Sequence, residues 1–537
     1  MMKKILVSAA SKYIHSALAV WYLKAAVPSY DIYECTVNSD IEKVCREIVS
    51  ENPSVVGFSC YIWNISYVTR LAKMLRDRLE NVKIIFGGPE VSFESERFKG
   101  IADYVIKGSG EQRLKELTEA IEKGEDYPFI SEGCTCDVPP NPYTEEYFAA
   151  LKGRIAYIET SRGCPFSCAF CLSGREEKPL FFPLERAFSD IKRLSFSGAK
   201  TIKFVDRTFN ADRKRAYAIW KYILEDDELP KDICYHFEIG ADLLTKEHIE
   251  LLKSAPKGRF QVEIGFQSFN DETLKAVSRT APVDKAVENT LCLVDNSNIH
   301  VHTDLIIGLP YEGMESFKKS FDKAYSLKSH MLQVGFLKLL YGSALRKDMG
   351  KYSISCKDEP PYEVTKTHCM TEREIEKLKA FEDIVERLKN SGRFEKTVEY
   401  LIKYTEKSPF ELFMHIAENI EYDKNCSLDD FTAVLLKLYR KEGIDLRDIL
   451  TEDRIESNNT GALPPCLKIY DKRLGEVRKR LKKLCPLKEN TVRGCALLYG
   501  ENSVIFADYT EENYDRVTGR YKSQKMSIDS VMKEEEI

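Results

Sequence analysis

The sequence has no uninterrupted apolar run long enough to cross a bilayer, which takes about 20 residues, and so predicts no membrane span. It also lacks a basic excess, and a formal net charge of -5 argues against a general nucleic-acid binder. The opening Met1-Met2-Lys3-Lys4-Ile5-Leu6-Val7 reaches Ser8 and Lys12 too soon for a signal-peptide core with a cleavage site. Together these absences predict a cytoplasmic protein. In a reducing compartment, the 16 cysteines are expected as thiols or metal ligands rather than disulfides. Most of them, such as Cys35, Cys45, Cys60, Cys234 and Cys292, stand alone in apolar stretches and read as small buried hydrophobes.

What is present is a chain of 537 residues, 43% hydrophobic and 31% charged, sized for roughly three domains. Short runs rich in Val, Ile and Phe at Lys4–Ala10, Tyr30–Val37, Ser54–Ser59, Val82–Phe86 and Asp103–Ile106 alternate with helical patterns. That alternation predicts a doubly wound parallel α/β sheet over residues 1–125. A polar stretch around Asp137-Val138-Pro139-Pro140-Asn141-Pro142 reads as a linker over 126–153. Six further strand patterns, from Ile155–Thr160 to Leu332–Leu337, predict a partial (β/α)6 parallel barrel over 154–350, with its active site at the strand carboxyl ends. From 351 to 537 helical patterns dominate, ending in a hairpin at Cys495–Leu498 and Ser503–Asp508 and a charged, frayed tail. That region shows no repeat and no catalytic signature.

The chemistry concentrates in Glu159-Thr160-Ser161-Arg162-Gly163-Cys164-Pro165-Phe166-Ser167-Cys168-Ala169-Phe170-Cys171, directly after the first barrel strand. Three thiolates on one short loop can wrap a compact cluster. A four-iron cluster usually takes four cysteines, and with no fourth nearby one iron of a [4Fe–4S] cluster stays open for a ligand. Structural zinc wants four ligands in separated pairs and fits this spacing poorly. Metal ligands are therefore expected at Cys164, Cys168 and Cys171.

This motif resembles that of the radical SAM superfamily, in which the open iron chelates S-adenosylmethionine (SAM) and an aromatic residue, here Phe170, precedes the last cysteine. The resemblance extends across the barrel. Phe204-Val205-Asp206-Arg207-Thr208-Phe209-Asn210 lies where relatives contact the SAM amino group, although the Gly-Gly-Glu form is absent. Glu263-Ile264-Gly265-Phe266-Gln267-Ser268-Phe269-Asn270, with Leu274 and Arg279, resembles oxygen-independent coproporphyrinogen oxidases and methylthiotransferases. Asp304-Leu305-Ile306-Ile307-Gly308-Leu309-Pro310 resembles another superfamily signature, and Tyr341-Gly342-Ser343 follows the sixth strand. The resemblance implies cofactor contacts from Phe170, Asp206, Glu238, Glu263, Gln267, Ser268, Gly308 and Pro310. On the residues alone, Glu238 and Glu263 also read as solvated or salt-bridged carboxylates. Gln267 reads equally as a partner of buried backbone, and Gly308-Leu309-Pro310 as a turn.

A doubly wound domain ahead of such a barrel resembles the cobalamin-binding group of the superfamily, in the branch that ends in an uncharacterised domain. The carrying residues are Ser59 after the third strand, Gly87 and Gly88 after the fourth, and Gly108 and Glu111 after the fifth. The group's Asp-x-His-x-x-Gly pattern is missing. His15, in Lys12-Tyr13-Ile14-His15-Ser16, is read either as a lower cobalt ligand or as a hydrogen-bonding histidine. The resemblance implies reductive SAM cleavage to a 5′-deoxyadenosyl radical, with cobalamin as second cofactor. It also implies a small-molecule substrate and an electron donor such as flavodoxin or ferredoxin. The outcome would be methyl transfer or rearrangement. Two alternatives stand beside this one: a first domain that docks substrate without cobalamin, and a non-catalytic cobalamin or redox sensor. Scattered thiols at Cys134, Cys136, Cys369, Cys466, Cys485 and Cys495 give a weaker reading of an auxiliary cluster.

Overall fold

In the computed structural model, which describes residues 2–133, 138–174 and 178–533, the first alternation forms a six-stranded parallel sheet. Its elements are β1 (Lys4–Ala10), α1 (Leu18–Ala26), β2 (Asp31–Thr36), α2 (Ile41–Ser50), β3 (Val55–Ser59), α3 (Ile65–Arg78), β4 (Lys83–Gly87), β5 (Tyr104–Lys107), α4 (Glu111–Lys123) and β6 (Ile130–Glu132). The order β2-β1-β3-β4-β5-β6 places the topological switch between β1 and β3, where doubly wound sheets bind ligands. β1 and β3 are buried almost end to end, as strands covered by helices on both faces must be.

The linker reading needs correction. Residues 130–132 pair with β5 in register Val105↔Ile130 and extend the sheet. The helix α5 (Glu145–Leu151), capped by Thr144, packs Tyr147 edge-on against Trp21 at 5.6 Å. Pro and polar residues suggested a loop, but edge pairing and aromatic packing are non-local and override local composition. Cys134 and Cys136 lie outside the described residues.

The barrel follows as β7 (Ala156–Ile158), β8 (Ser161–Arg162), β9 (Leu180–Phe181), α6 (Leu184–Ser195), β10 (Thr201–Phe204), α7 (Arg213–Glu225), β11 (Cys234–Glu238), α8 (Lys246–Lys253), β12 (Phe260–Gln267), α9 (Asp271–Ala276), α10 (Val283–Asp295), β13 (His300–Ile307), α11 (Met314–Ser326) and β14 (Met331–Phe336). Six parallel strands run in the order β14-β13-β12-β11-β10-β7, an open barrel with β14 and β7 at its edges. Alternation along β12 separates its two faces. Phe260, Val262, Ile264 and Phe266 are buried, while Gln261, Glu263, Gly265 and Gln267 keep partial access. Phe204, Phe209, Phe237 and Trp220 form an aromatic core, with Phe204 and Phe237 stacked at 4.5 Å.

The third region begins with α12 (Ala344–Lys347), β15 (Ser355–Cys356) and β16 (Val364–Lys366), then the helices α13 (Glu372–Val385), α14 (Glu395–Thr405), α15 (Pro409–Asn419), α16 (Leu428–Lys441), α17 (Arg447–Glu456) and α18 (Arg473–Leu484). β17 (Arg493–Leu498) and β18 (Ser503–Asp508) make the expected hairpin, the short β19 (Tyr514–Asp515) and β20 (Arg520–Tyr521) follow, and β21 (Gln524–Ser527) adds a third strand to the hairpin. Phe321 on α11, Phe381 on α13 and Phe410 on α15 weld this region to the barrel. It also closes the amino-terminal end of the barrel. Asn390 bonds both the N–H and the C=O of Leu332, at 2.9 and 3.0 Å, and His300 meets the Val517 carbonyl at 2.8 Å. Among the described residues no helix is long and apolar enough to cross a membrane.

Candidate active site

The cysteine loop leaves the carboxyl end of β7 and is closed at its base by the two-residue pairing of β8 with β9. Gly163 turns there at φ +85°, a conformation that favours glycine. Cys164, Cys168 and Cys171 are free, partly accessible thiols on this one loop. The loop is pinned from both sides: Ala169 N–H donates to Val277 O at 2.9 Å, and Leu345 N–H donates to Ala169 O at 2.8 Å. Arg279 reaches Cys168 Sγ at 3.8 Å and also the Gly265 carbonyl. Burial pushes the Cys168 thiol up, against the pull of Arg279, so a metal would be needed to hold it as thiolate. Phe170 packs, half-buried, against the main core. Three sulfur donors on one loop suit a cluster with one open iron.

Asp206 is not free to meet a ligand, which corrects its expected role. It is 1% exposed and accepts three bonds, from Thr160 N–H (2.9 Å), Thr160 Oγ1 (2.7 Å) and Ser161 Oγ (2.5 Å). Arg215 completes the arrangement by donating to Thr160 O and Phe182 O. Asp206 thus fixes the strand end from which the cysteine loop departs. Ser268 is likewise fully buried, donating to Glu312 Oε1 at 2.6 Å and accepting from Asn270 N–H. Gly308 and Pro310 are also buried, and a side chain at 308 would stand 2.7 Å from Val364 Cγ1, so the turn is shaped by the third region. Gln267 takes φ +71° at a bulge in β12 and lays its amide over Gly265.

The first domain meets the cysteine loop through charge. Arg162, two residues before Cys164, pairs with Glu111 at the start of α4 (2.6 Å) and with Glu159 (3.0 Å), and bonds Ser109 Oγ at 3.2 Å. Glu111, expected at a cofactor, is therefore an interdomain ion-pair partner. Burial pushes the Glu159 carboxyl up to about 6, with Arg162 acting against it. His15 bridges to Ile155 and its Nδ1 lies 2.7 Å from Tyr157 Oη, the hydrogen-bonding alternative. Gly88 and Gly108 are explained by their own backbones. Gly88 has φ +121°, and a Cβ there would meet Cys60 O at 2.5 Å; Gly108 has φ +66°. Ser59 differs, because its buried hydroxyl has no hydrogen-bond partner among the described residues. Beside it, Tyr61 and Trp63 stack at 4.3 Å with Trp63 51% exposed, a flat apolar surface at the switch-point edge. Sequence reasoning missed this pair, although two aromatics directly after a strand end were a visible signal.

Inside the barrel a charged network occupies alternate strand positions. Glu263 accepts from His236 Nε2 (3.1 Å) and Lys203 Nζ (3.3 Å), Lys203 lies 3.8 Å from Glu238, and His302 Nε2 lies 2.9 Å from Asp304 Oδ1. Burial raises Glu263, yet the His236 bond and the Lys203 charge outweigh it and hold the group down to about 2. Glu238, half-buried beside Glu263, is pushed up to about 6 by loss of solvent and by the Glu263 charge. The salt-bridged alternative therefore describes both glutamates. Lys203, His236 and His302 were not anticipated; ionisable residues at every second position of otherwise apolar strands were the signal.

Residues 4–118 match the B12 binding domain, 158–324 the radical SAM superfamily, and 350–494 a protein family of unknown function, DUF4080. The chain thus carries a B12 binding domain and a radical SAM domain. Its domain types imply a [4Fe–4S] cluster, SAM and cobalamin as cofactors. The chain is 25% identical over 316 residues to an uncharacterized methyltransferase, PH0819, of Pyrococcus horikoshii, covering 54% of this chain and 67% of that one. It is 24% identical over 340 residues to the cobalamin-dependent radical SAM methyltransferase TokK of Streptomyces tokunonensis, covering 52% of this chain and 46% of TokK. The chain thus spans about half to two thirds of the length of these curated relatives. The cobalamin-dependent SAM radical enzyme OxsB, solved with aqua-cobalamin and SAM, superposes with TM-score 0.61 at 12% identity, covering 84% of this chain and 79% of that one. At that identity the likeness is one of fold.

Proposed function

We propose that this protein is a methyltransferase that acts on a small molecule, with Cys164, Cys168 and Cys171 as the ligands of its [4Fe–4S] cluster. When bound, the cofactors would supply reductive SAM cleavage and a cobalt that carries a methyl group. The observation that carries the reading is the buried Arg162 junction, which draws the β5–α4 turn of the B12-binding domain against the cysteine loop. In this reading residues 1–125 hold cobalamin and 154–350 hold the cluster and SAM. Residues 126–153 add an edge strand to the first sheet and lead into the barrel, and 351–537 close the barrel. Ser59 would bond the corrinoid and the Tyr61–Trp63 stack would lie along it, while Asp206 and Arg215 hold the cysteine loop in place. A cavity of about 970 Å³ is lined by Lys275, Arg279, Lys319 and Lys323 against Asp271 and Asp284, a net basic surface suited to an acidic one-electron donor such as flavodoxin or ferredoxin in the cytoplasm.

The test is anaerobic reconstitution of the full chain. About four irons per chain, retention of corrinoid absorbance after incubation with hydroxocobalamin and desalting, and SAM consumption under dithionite are expected. The Cys164→Ala/Cys168→Ala/Cys171→Ala variant should lose the iron and the SAM consumption. Unchanged iron content in that variant overturns the ligand assignment, and a wild type that retains no corrinoid overturns the methyl-transfer reading.

A further inference from the structure

Inside the barrel Glu263, His302 and Asp304 bring ligand-type atoms together on one face. Glu263 of β12 stands in register with His302 of β13, and Asp304 follows two residues on along the same face. One ligand-type atom from each lies within 4.8 Å of those of the other two. His302 is 6% exposed. Its Nε2 approaches Asp304 Oδ1 to 2.9 Å, yet the pair lacks hydrogen-bond alignment and both atoms are buried without a hydrogen-bond partner among the described residues. Two donors set side by side in this way, rather than aimed at each other, are what adjacent ligands of one ion look like. Around an octahedral cation bound at about 2.1 Å, neighbouring donors stand about 3 Å apart and opposed ones about 4 Å apart.

The surroundings fit such a role. His236 Nε2 and Lys203 Nζ both bond Glu263 at Oε2 and so orient the carboxylate, whose Oε2 also lies 3.9 Å from His302 Nδ1. Charge points the same way. Glu238, Glu263 and Asp304 bring three carboxyls into the lumen. Lys203 is the ammonium between Glu238 and Glu263, and Asp304 has His302 as its direct partner. A divalent ion bound beside these partly buried carboxyls would add positive charge to the lumen.

We propose that Glu263, His302 and Asp304 bind a single divalent cation of the Mn²⁺ or Fe²⁺ class within the barrel. One imidazole and two carboxylates suit such ions, whereas the cysteine loop offers soft sulfur donors. The site is separate from the cysteine-bound cluster and does not depend on the methyltransferase reading.

The test uses the full chain with its cluster reconstituted, desalted and titrated with Mn²⁺. The free ion is followed by its electron paramagnetic resonance signal. About one equivalent should bind, and pulsed measurements should show coupling of the bound Mn²⁺ to an imidazole nitrogen. Glu263→Gln, Asp304→Asn and His302→Gln should each weaken binding at least about tenfold, and His302→Gln should abolish the nitrogen coupling. A wild type that takes up no stoichiometric Mn²⁺, or binds it without nitrogen coupling, overturns the proposal whether or not the variants fold. Unchanged affinity in all three folded variants overturns it as well.

Discussion

Replacing Asp206 by Asn separates a residue that holds the cysteine loop from one that holds SAM. The carboxyl is buried and receives three donors, two from Thr160 and one from Ser161. Hydrogen bonds to a charged acceptor contribute about 1.5–3 kcal/mol each and neutral ones about 1 kcal/mol. Asn keeps the shape but turns one acceptor oxygen into a donor facing other donors, so a loss of about 2–4 kcal/mol is expected. In a domain of this size each kcal/mol lowers the midpoint by about 2–4 °C, which predicts a fall of roughly 4–16 °C. Anaerobic scanning calorimetry reads the shift, and iron analysis reads how much cluster the loosened loop retains. SAM affinity of the cluster-loaded fraction should stay within about twofold of wild type, because the side chain faces Thr160 and Ser161 rather than open space. A midpoint unchanged within about 1 °C, with full iron content and weakened SAM binding, would refute the assignment.

Other perturbations follow from the same geometry. A double-mutant cycle of Arg162→Met and Glu111→Gln should give a coupling of about 1–3 kcal/mol by thermal unfolding, since the pair is mostly buried; below about 0.5 kcal/mol the junction is not coupled. Gly88→Ala, at φ +121° with its Cβ 2.5 Å from the Cys60 carbonyl, should cost about 2–4 kcal/mol in chemical denaturation, whereas Gly87→Ala, 3.6 Å from its nearest neighbour, should stay within about 1 kcal/mol. Glu312 is buried and pushed up to about 7 by burial, with bonds from Ser268 and Ser320 acting against it. Its folded state holds the proton that the unfolded chain releases near pH 4.5, so this stability is present below that pH and lost as pH rises through about 7. Glu312→Gln should therefore flatten the fall in stability between pH 5.5 and 8 by about 2 kcal/mol, and an unaltered slope would show that another group sets it.

By itself the sequence determined the element order and the place of the cysteines. Val- and Ile-rich runs at intervals filled by amphipathic helices allow little besides parallel α/β layers, and a thiol loop after the first barrel strand must lie at that strand's carboxyl end. Local pattern and chain order suffice for such features. Burial and partnership are non-local, and these only the tertiary structure decided. Asp206, Ser268, Gly308 and Pro310 sit in positions suggestive of ligand contact, yet each is enclosed by residues distant in sequence. Glu111 and His15 turned from cofactor candidates into joints between domains for the same reason. The ionisable lumen of Lys203, His236, Glu263, His302 and Asp304 exists only because strand register brings alternate residues of separate strands onto one inward face.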